Sequence, residues 1–330
     1  MSNSSLQAGW RGLVRLLLLG GLLAAAPDAG ALAKPYVETT PKSGFHLFLR
    51  PKQKTPAAQW AYAQQLDRDG KTRAAEKQAL ALRIRWPHSP EAPAAQLFHA
   101  RLLDRRGKWQ AAFDAYQHLV EHYTGRFEFN EVVGRQMQIA KILMDLKKGR
   151  FLFLPGFKAP ERAIPLFEKI VASGPEWSGA AEAYYLMGVA NESAYEYDKA
   201  IEAYFTALNR FPDSEFAEKA AFAQAQCHIR VSVESPNDTR ALASARAACL
   251  LYLQRHPDAA RKAAIEADLA RLRERQIEHA FALARYYDRI LRKPDAALIE
   301  YRSFVALFPD AAQAEAARLR IAELAPTPEK

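Results

Sequence analysis

The chain is 330 residues long, 49% hydrophobic and 25% charged, with a formal net charge of +9. Together with a mean hydropathy of −0.27, this is the balance of a soluble globular chain with enough residues for a sizeable core or an elongated array. Two cysteines leave no zinc pattern built on cysteine. The basic balance favours acidic partners without choosing among lipid head groups, lipopolysaccharide, nucleic acid and acidic protein faces.

At the N-terminus, Arg11 and Arg15 precede the apolar run Leu16–Ala26, and Ala31-Leu32-Ala33 follows. A positive region, a short apolar run and an A-x-A site predict a cleaved signal peptide over 1–33. No cysteine lies near that site, so export without a lipid anchor is expected. Residues 34–56, with Pro35, Pro41, Pro51 and Pro56, read as an extended lead-in.

From residue 57 onward the chain reads as amphipathic helices separated by recurring turn phrases: "RWPHSPEAPAA" (85–95), "NRFPDSEFAEKAA" (209–221), "QRHPDAARKAA" (254–264) and "ALFPDAAQAEAA" (306–317). In each phrase an aromatic or apolar residue closes one helix, Pro ends it, and Asp or Ser precedes the next. Residues 59–87 repeat Ala63, Gly70, Ala75 and Pro87; residues 96–124 repeat Ala100, Gly107, Trp109, Ala112 and Tyr116. The fullest unit is 184–212, where Gly188 is followed at helical spacing by Tyr197, Ala200, Tyr204 and Ala207. Small residues let paired helices touch, and aromatics fill the joint to the next pair.

Between the second and third of these units, residues 126–160 read as an insertion. A helix is expected over 135–149, then the ribbon "GRFLFLPGFK" (149–158), then a helix from Pro160. Phe151, Leu152, Phe153, Leu154 and Phe157 either fold back onto neighbouring helices or form an exposed loop that touches a partner or a membrane leaflet. Cys227 and Cys249 are either two buried small hydrophobes or, in an exported chain, a disulfide. A frayed tail is expected at 326–330.

These units resemble the tetratricopeptide repeat, with the turn residues unevenly spaced around the ~34-residue period. The segment "LARLRERQIEHAFALARYY" (269–287), set between "HPDAARKAA" and "PDAALIEYRSFVALFPD", further resembles the outer-membrane assembly factor family called BamD. The resemblance covers roughly 57–320. It implies an all-α, right-handed α-solenoid over 57–325 at the periplasmic face of the outer membrane, binding barrel-assembly machinery or unfolded β-barrel precursors. The chain departs from that family in lacking the lipid-bearing cysteine and in carrying the 126–160 segment. The less specific expectation is an envelope adaptor for peptidoglycan- or lipopolysaccharide-associated partners.

The repeat resemblance also implies that first helices line an inner surface. That places Trp60, Gln64, Asp67 and Arg68, then Leu97, Arg101, Asp104 and Arg105, then Tyr185, Val189 and Glu192 on one face. Read as a groove, aromatics would take apolar side chains and arginines a carboxylate or carbonyls. Read otherwise, these are solvated or inter-helix residues. One catalytic pattern stands out: His118, Glu121 and His122 form H-x-x-E-H, with both imidazoles on one helical face as zinc requires. No third ligand is identifiable, and no phosphate loop, dinucleotide loop or nucleophile elbow occurs. The expectation is a binding protein with no catalytic residues, no metal or other cofactor, and no nucleic-acid partner.

Overall fold

The computed structural model describes residues 49–148 and 157–325. The described residues form α1 (Pro56–Arg68), α2 (Thr72–Arg85), α3 (Ala92–Arg105), α4 (Trp109–His122), α5 (Phe129–Asp145), α6 (Ile164–Ser173), α7 (Ala180–Ser193), α8 (Tyr197–Arg210), α9 (Ala217–Glu234), α10 (Thr239–Arg255), α11 (Lys262–Arg285), α12 (Pro294–Leu307) and α13 (Ala314–Leu324). Each helix packs on the next in sequence, and α7 also touches α9. This is an α-solenoid: six successive helix pairs, α1–α2 through α11–α12, closed by α13.

Local chemistry explains the boundaries. Thr55 caps α1, its Oγ1 accepting from the Ala58 N–H at 3.3 Å, and Pro56 fills the first turn, where its missing N–H costs nothing. Gly70 and Gly107 turn the chain within the first two pairs at φ of 75° and 66°, a region that favours glycine. Between pairs, Trp86, Phe211, His256 and Phe308 share one conformation, near φ −133° and ψ 60°. All four precede proline, whose ring disfavours the helical conformation in the residue before it.

The insertion expected at 126–160 is smaller than its sequence boundaries. Phe129–Asp145 is α5, a full first helix that buries Val132, Val133, Met137 and Ile139 between α4 and α6. What separates the helices of this third pair is a two-residue antiparallel pairing, β1 (Lys147–Lys148) with β2 (Phe157–Lys158), followed by a 3-10 turn over Pro160–Ala163. Phe151, Leu152, Phe153 and Leu154 lie outside the described residues, as do the 1–33 segment, most of the lead-in and the tail. Of Phe157 the backbone is described, opposite Lys148.

The residues just before α1 are tied to the first helix pair. The N–H groups of Lys52 and Gln53 donate to Oε1 of the buried Gln59, whose amide nitrogen donates to Gln78 of α2. Pro294 is the first residue of α12, where its missing N–H costs nothing.

The interior divides into successive cores. One runs from α2 to α7 around Phe113, Phe167 and Ile170; a second joins α8 to α11 around Tyr204 and Tyr252; a third joins α11 to α13 around Tyr301 and Phe304. At Gly188 the pair α7–α8 is in contact: a β-carbon there would fall into the Tyr204 ring.

Candidate functional site

Side chains from successive first helices meet on one face. Arg105 of α3 donates twice to the Asp67 carboxylate of α1, at 2.6 and 2.7 Å. Arg101 of α3 pairs with Glu131 of α5, and Arg135 of α5 returns a fork to Asp104 of α3 at 2.6 and 2.7 Å. Lys141 pairs with Glu182 of α7, and Arg230 of α9 lies 3.8 Å from Glu192 of α7. Planar guanidinium and carboxylate groups suit such fork geometry. Arg101 and Glu131 remain about half exposed, so their pair contributes little to stability.

Between α3 and α5 the same side chains line a depression of about 480 Å³, walled by Arg101, Asp104, Tyr116, Glu131, Arg135 and Gln138. Tyr116 reaches it from α4 and donates to Asp104 at 3.4 Å. Burial and the Asp104 charge hold its phenol protonated far above ordinary pH. The depression therefore offers a guanidinium, a neutral phenol and carboxylates, the groups that bind a polar backbone or a charged side chain.

The structure does not gather all the groove residues named from sequence into this depression. Trp60 is half-buried and packs edge-on to Phe98 at 5.3 Å. Leu97 packs against the first core, Gln64 and Arg68 are exposed on α1, and Val189 packs against the second core. Tyr185 lies 5.6 Å from the Phe216 ring and 5.8 Å from Tyr204. Glu192 accepts from the Tyr204 hydroxyl at 3.1 Å. The sequence places Arg135 and Gln138 on an expected helix but does not align it with the other first helices, so Glu131, Arg135 and Gln138 are not read as lining this face.

The H-x-x-E-H residues do not form a metal centre. His118 and His122 stack face to face at 4.0 Å, and a nitrogen of the Arg83 guanidinium lies 3.1 Å from His118 Nε2. Burial first, then Arg83, lowers the His118 pKa to about 3. Glu121 accepts from Gln117. Among the described residues no three His, Cys, Asp or Glu side chains converge to hold a metal ion. A cation at His118 would face a guanidinium, so the zinc-peptidase reading is dropped.

Cys227 of α9 and Cys249 of α10 are free, fully buried thiols, which corrects the disulfide alternative. Burial pushes their pKa values up to about 12 and 11.

No known protein family and no curated protein matches the chain in sequence. Among solved structures it is similar to the C-terminal part of a tetratricopeptide-repeat protein from Cytophaga hutchinsonii (18% identity, 81% of this chain, 88% of that chain, TM-score 0.32). A tetratricopeptide-repeat protein from Parabacteroides merdae gives 13% identity over 82% and 98% of the two chains, TM-score 0.31. Pseudomonas aeruginosa PilF gives 13% over 80% and 96%, TM-score 0.31. Similarities this weak transfer no role. The repeat character rests on the helix pairs themselves: this chain is an α-solenoid of tetratricopeptide-like helix pairs.

Proposed function

We propose that this protein is a non-enzymatic adaptor that binds a protein or extended peptide along its first-helix face, centred on the depression between α3 and α5. The observation that carries the reading is the half-exposed Arg101 beside Tyr116 and Arg135 in that depression. Neighbouring first helices supply its walls, as a scaffold that spreads one ligand over several repeats requires. In the finer version the protein is exported to the periplasm, lies at the inner face of the outer membrane, and serves β-barrel assembly. The single long helix α11, which contains most of the 269–287 segment, supports that version.

Fluorescence binding of a peptide ending in an aromatic residue and a free carboxylate tests the face. Arg101→Glu with Arg105→Glu is expected to weaken binding; the single variant Arg101→Gln is expected to weaken it with little change in melting temperature, because the Arg101–Glu131 pair is about half exposed on both sides. Unchanged affinity would refute the site. Affinity purification from cell envelopes tests the finer role, which predicts recovery of the barrel-inserting subunit.

A second reading, an adaptor for anionic envelope polymers, is favoured by a depression of about 600 Å³ lined by Lys71, Arg73, Arg105 and Arg106. It predicts binding that falls steeply with salt, whereas binding anchored by aromatic contacts is less sensitive.

A further inference from the structure

A further depression, of about 420 Å³, lies where the α3–α4 turn meets the end of α5 and shares no lining residue with the depression between α3 and α5. Its apolar surface comes from Trp109, Leu143 and Leu146, and its charge from Lys108 and Arg162. The sequence builds it for local reasons. Gly107, at φ 66°, turns the chain so that the Trp109 ring lies over the turn. Leu146 follows α5 in an extended conformation and keeps 39% of its surface exposed, so its side chain is accessible at the rim of the depression.

The electrostatics are one-sided. Arg162 donates to the carbonyls of Ala159 and Leu146, at 3.2 and 3.1 Å, both neutral acceptors. Among the described residues no carboxylate pairs with Lys108 or Arg162. This contrasts with the first-helix face, where the arginines already face carboxylates. Lys147, next to Leu146, adds a third cation, exposed like Lys108. An apolar floor under cations without counter-charges complements a large apolar side chain flanked by carboxylates.

We infer that this depression is a docking site for an acidic peptide segment, which seats one large apolar or aromatic side chain against Trp109, Leu143 and Leu146 and sets its acidic neighbours against Lys108 and Arg162. The site is independent of the α3–α5 face, so either can fail alone.

The test uses the full chain and three fluorescein-labelled peptides read by anisotropy. One carries a single Trp among Glu residues, one replaces Trp with Ala, and one replaces Glu with Lys. The first peptide alone is expected to bind. Lys108→Glu or Leu146→Asp, both at exposed positions, is expected to weaken it by about tenfold or more. Equal binding of all three peptides, or insensitivity to both variants, overturns the site. If the first peptide binds only after residues 151–154 are replaced by Gly and Ser, the depression belongs to the chain's own ribbon and the proposal fails. It fails likewise if Leu146→Asp abolishes self-association or binding to phosphatidylglycerol vesicles while peptide binding is absent.

Discussion

Tyr301 of α12 donates its hydroxyl to Asp288, 3.3 Å away, and Asp288 also accepts a two-pronged bond from Arg320 of α13 at 2.8 and 2.7 Å. The arrangement recurs. Tyr116 donates to Asp104, which Arg135 of the next first helix also grips; Tyr204 donates to Glu192, which Arg230 approaches. An acid near the end of a first helix thus joins its own second helix to the following pair. These three junctions are fastened by the same three groups, a tyrosine, a carboxylate and an arginine.

Asp288→Ala should therefore loosen the C-terminal end. Deeply buried ion pairs cost more to break, but Arg320 is 36% exposed, so about 1–2 kcal/mol is expected. The Arg320 guanidinium holds the Asp288 carboxyl below its ordinary range. That contribution is present above about pH 4 and is lost as the pH falls below it. Urea unfolding at neutral and strongly acid pH checks both statements; a variant as stable as wild type at neutral pH would contradict the first.

His99 supplies a second acid response. It is buried in α3, its Nδ1 donating to the Glu76 carbonyl at 3.2 Å, and burial followed by Arg83 lowers its pKa to about 4. The unfolded chain, with an ordinary value near 6.5, takes up the proton first. Stability is therefore present above about pH 6.5 and lost as the pH falls toward 4. His99→Gln should remove on the order of 2 kcal/mol of the loss between about pH 7 and 4.5. Parallel pH profiles for variant and wild type would show that the burial has no such effect.

Gly188→Ala places a methyl group in the Tyr204 ring, and overpacking of this kind costs about 1–3 kcal/mol. Adding Tyr204→Leu should restore part of that loss by opening space. A double variant no more stable than Gly188→Ala would show that the clash is relieved elsewhere.

Cys227 and Cys249 should react with a disulfide reagent only after unfolding, because the nucleophile is the thiolate and both thiols are buried with raised pKa values. Rapid labelling of the native protein would contradict this burial.

Much of this architecture was legible in the sequence. Pro87, Pro212, Pro257 and Pro309 mark real pair boundaries, and Gly188 with Tyr204 marks a real helix contact. A helix is legible at 135–149, but its earlier start at Phe129 and its alignment with the other first helices are not, because Phe129–Asp145 lacks the Gly/Ala and tyrosine pattern of the better units, although it packs as they do. The fastenings were not legible because each joins residues 31 to 38 positions apart, too far for a local pattern. The same distance hid the fact that Arg101 and Arg105 face acids of α5 and α1. An exposed arginine on a first helix looks the same in sequence whether or not the next repeat supplies its partner.

α11 is 24 residues long, about 36 Å of rod. Its first half buries Ile265 and Leu272 in one core, and its second half buries Ile277 and Ala284 in the next. A single uninterrupted helix thus serves as a splint across two separately packed interiors. The last module cannot melt away cleanly, since losing it would strip one side of the splint and leave bare apolar positions on a helix still anchored at its other end. Fraying from the C-terminus should therefore come to rest inside α11, between Leu272 and Ile277, rather than at a turn.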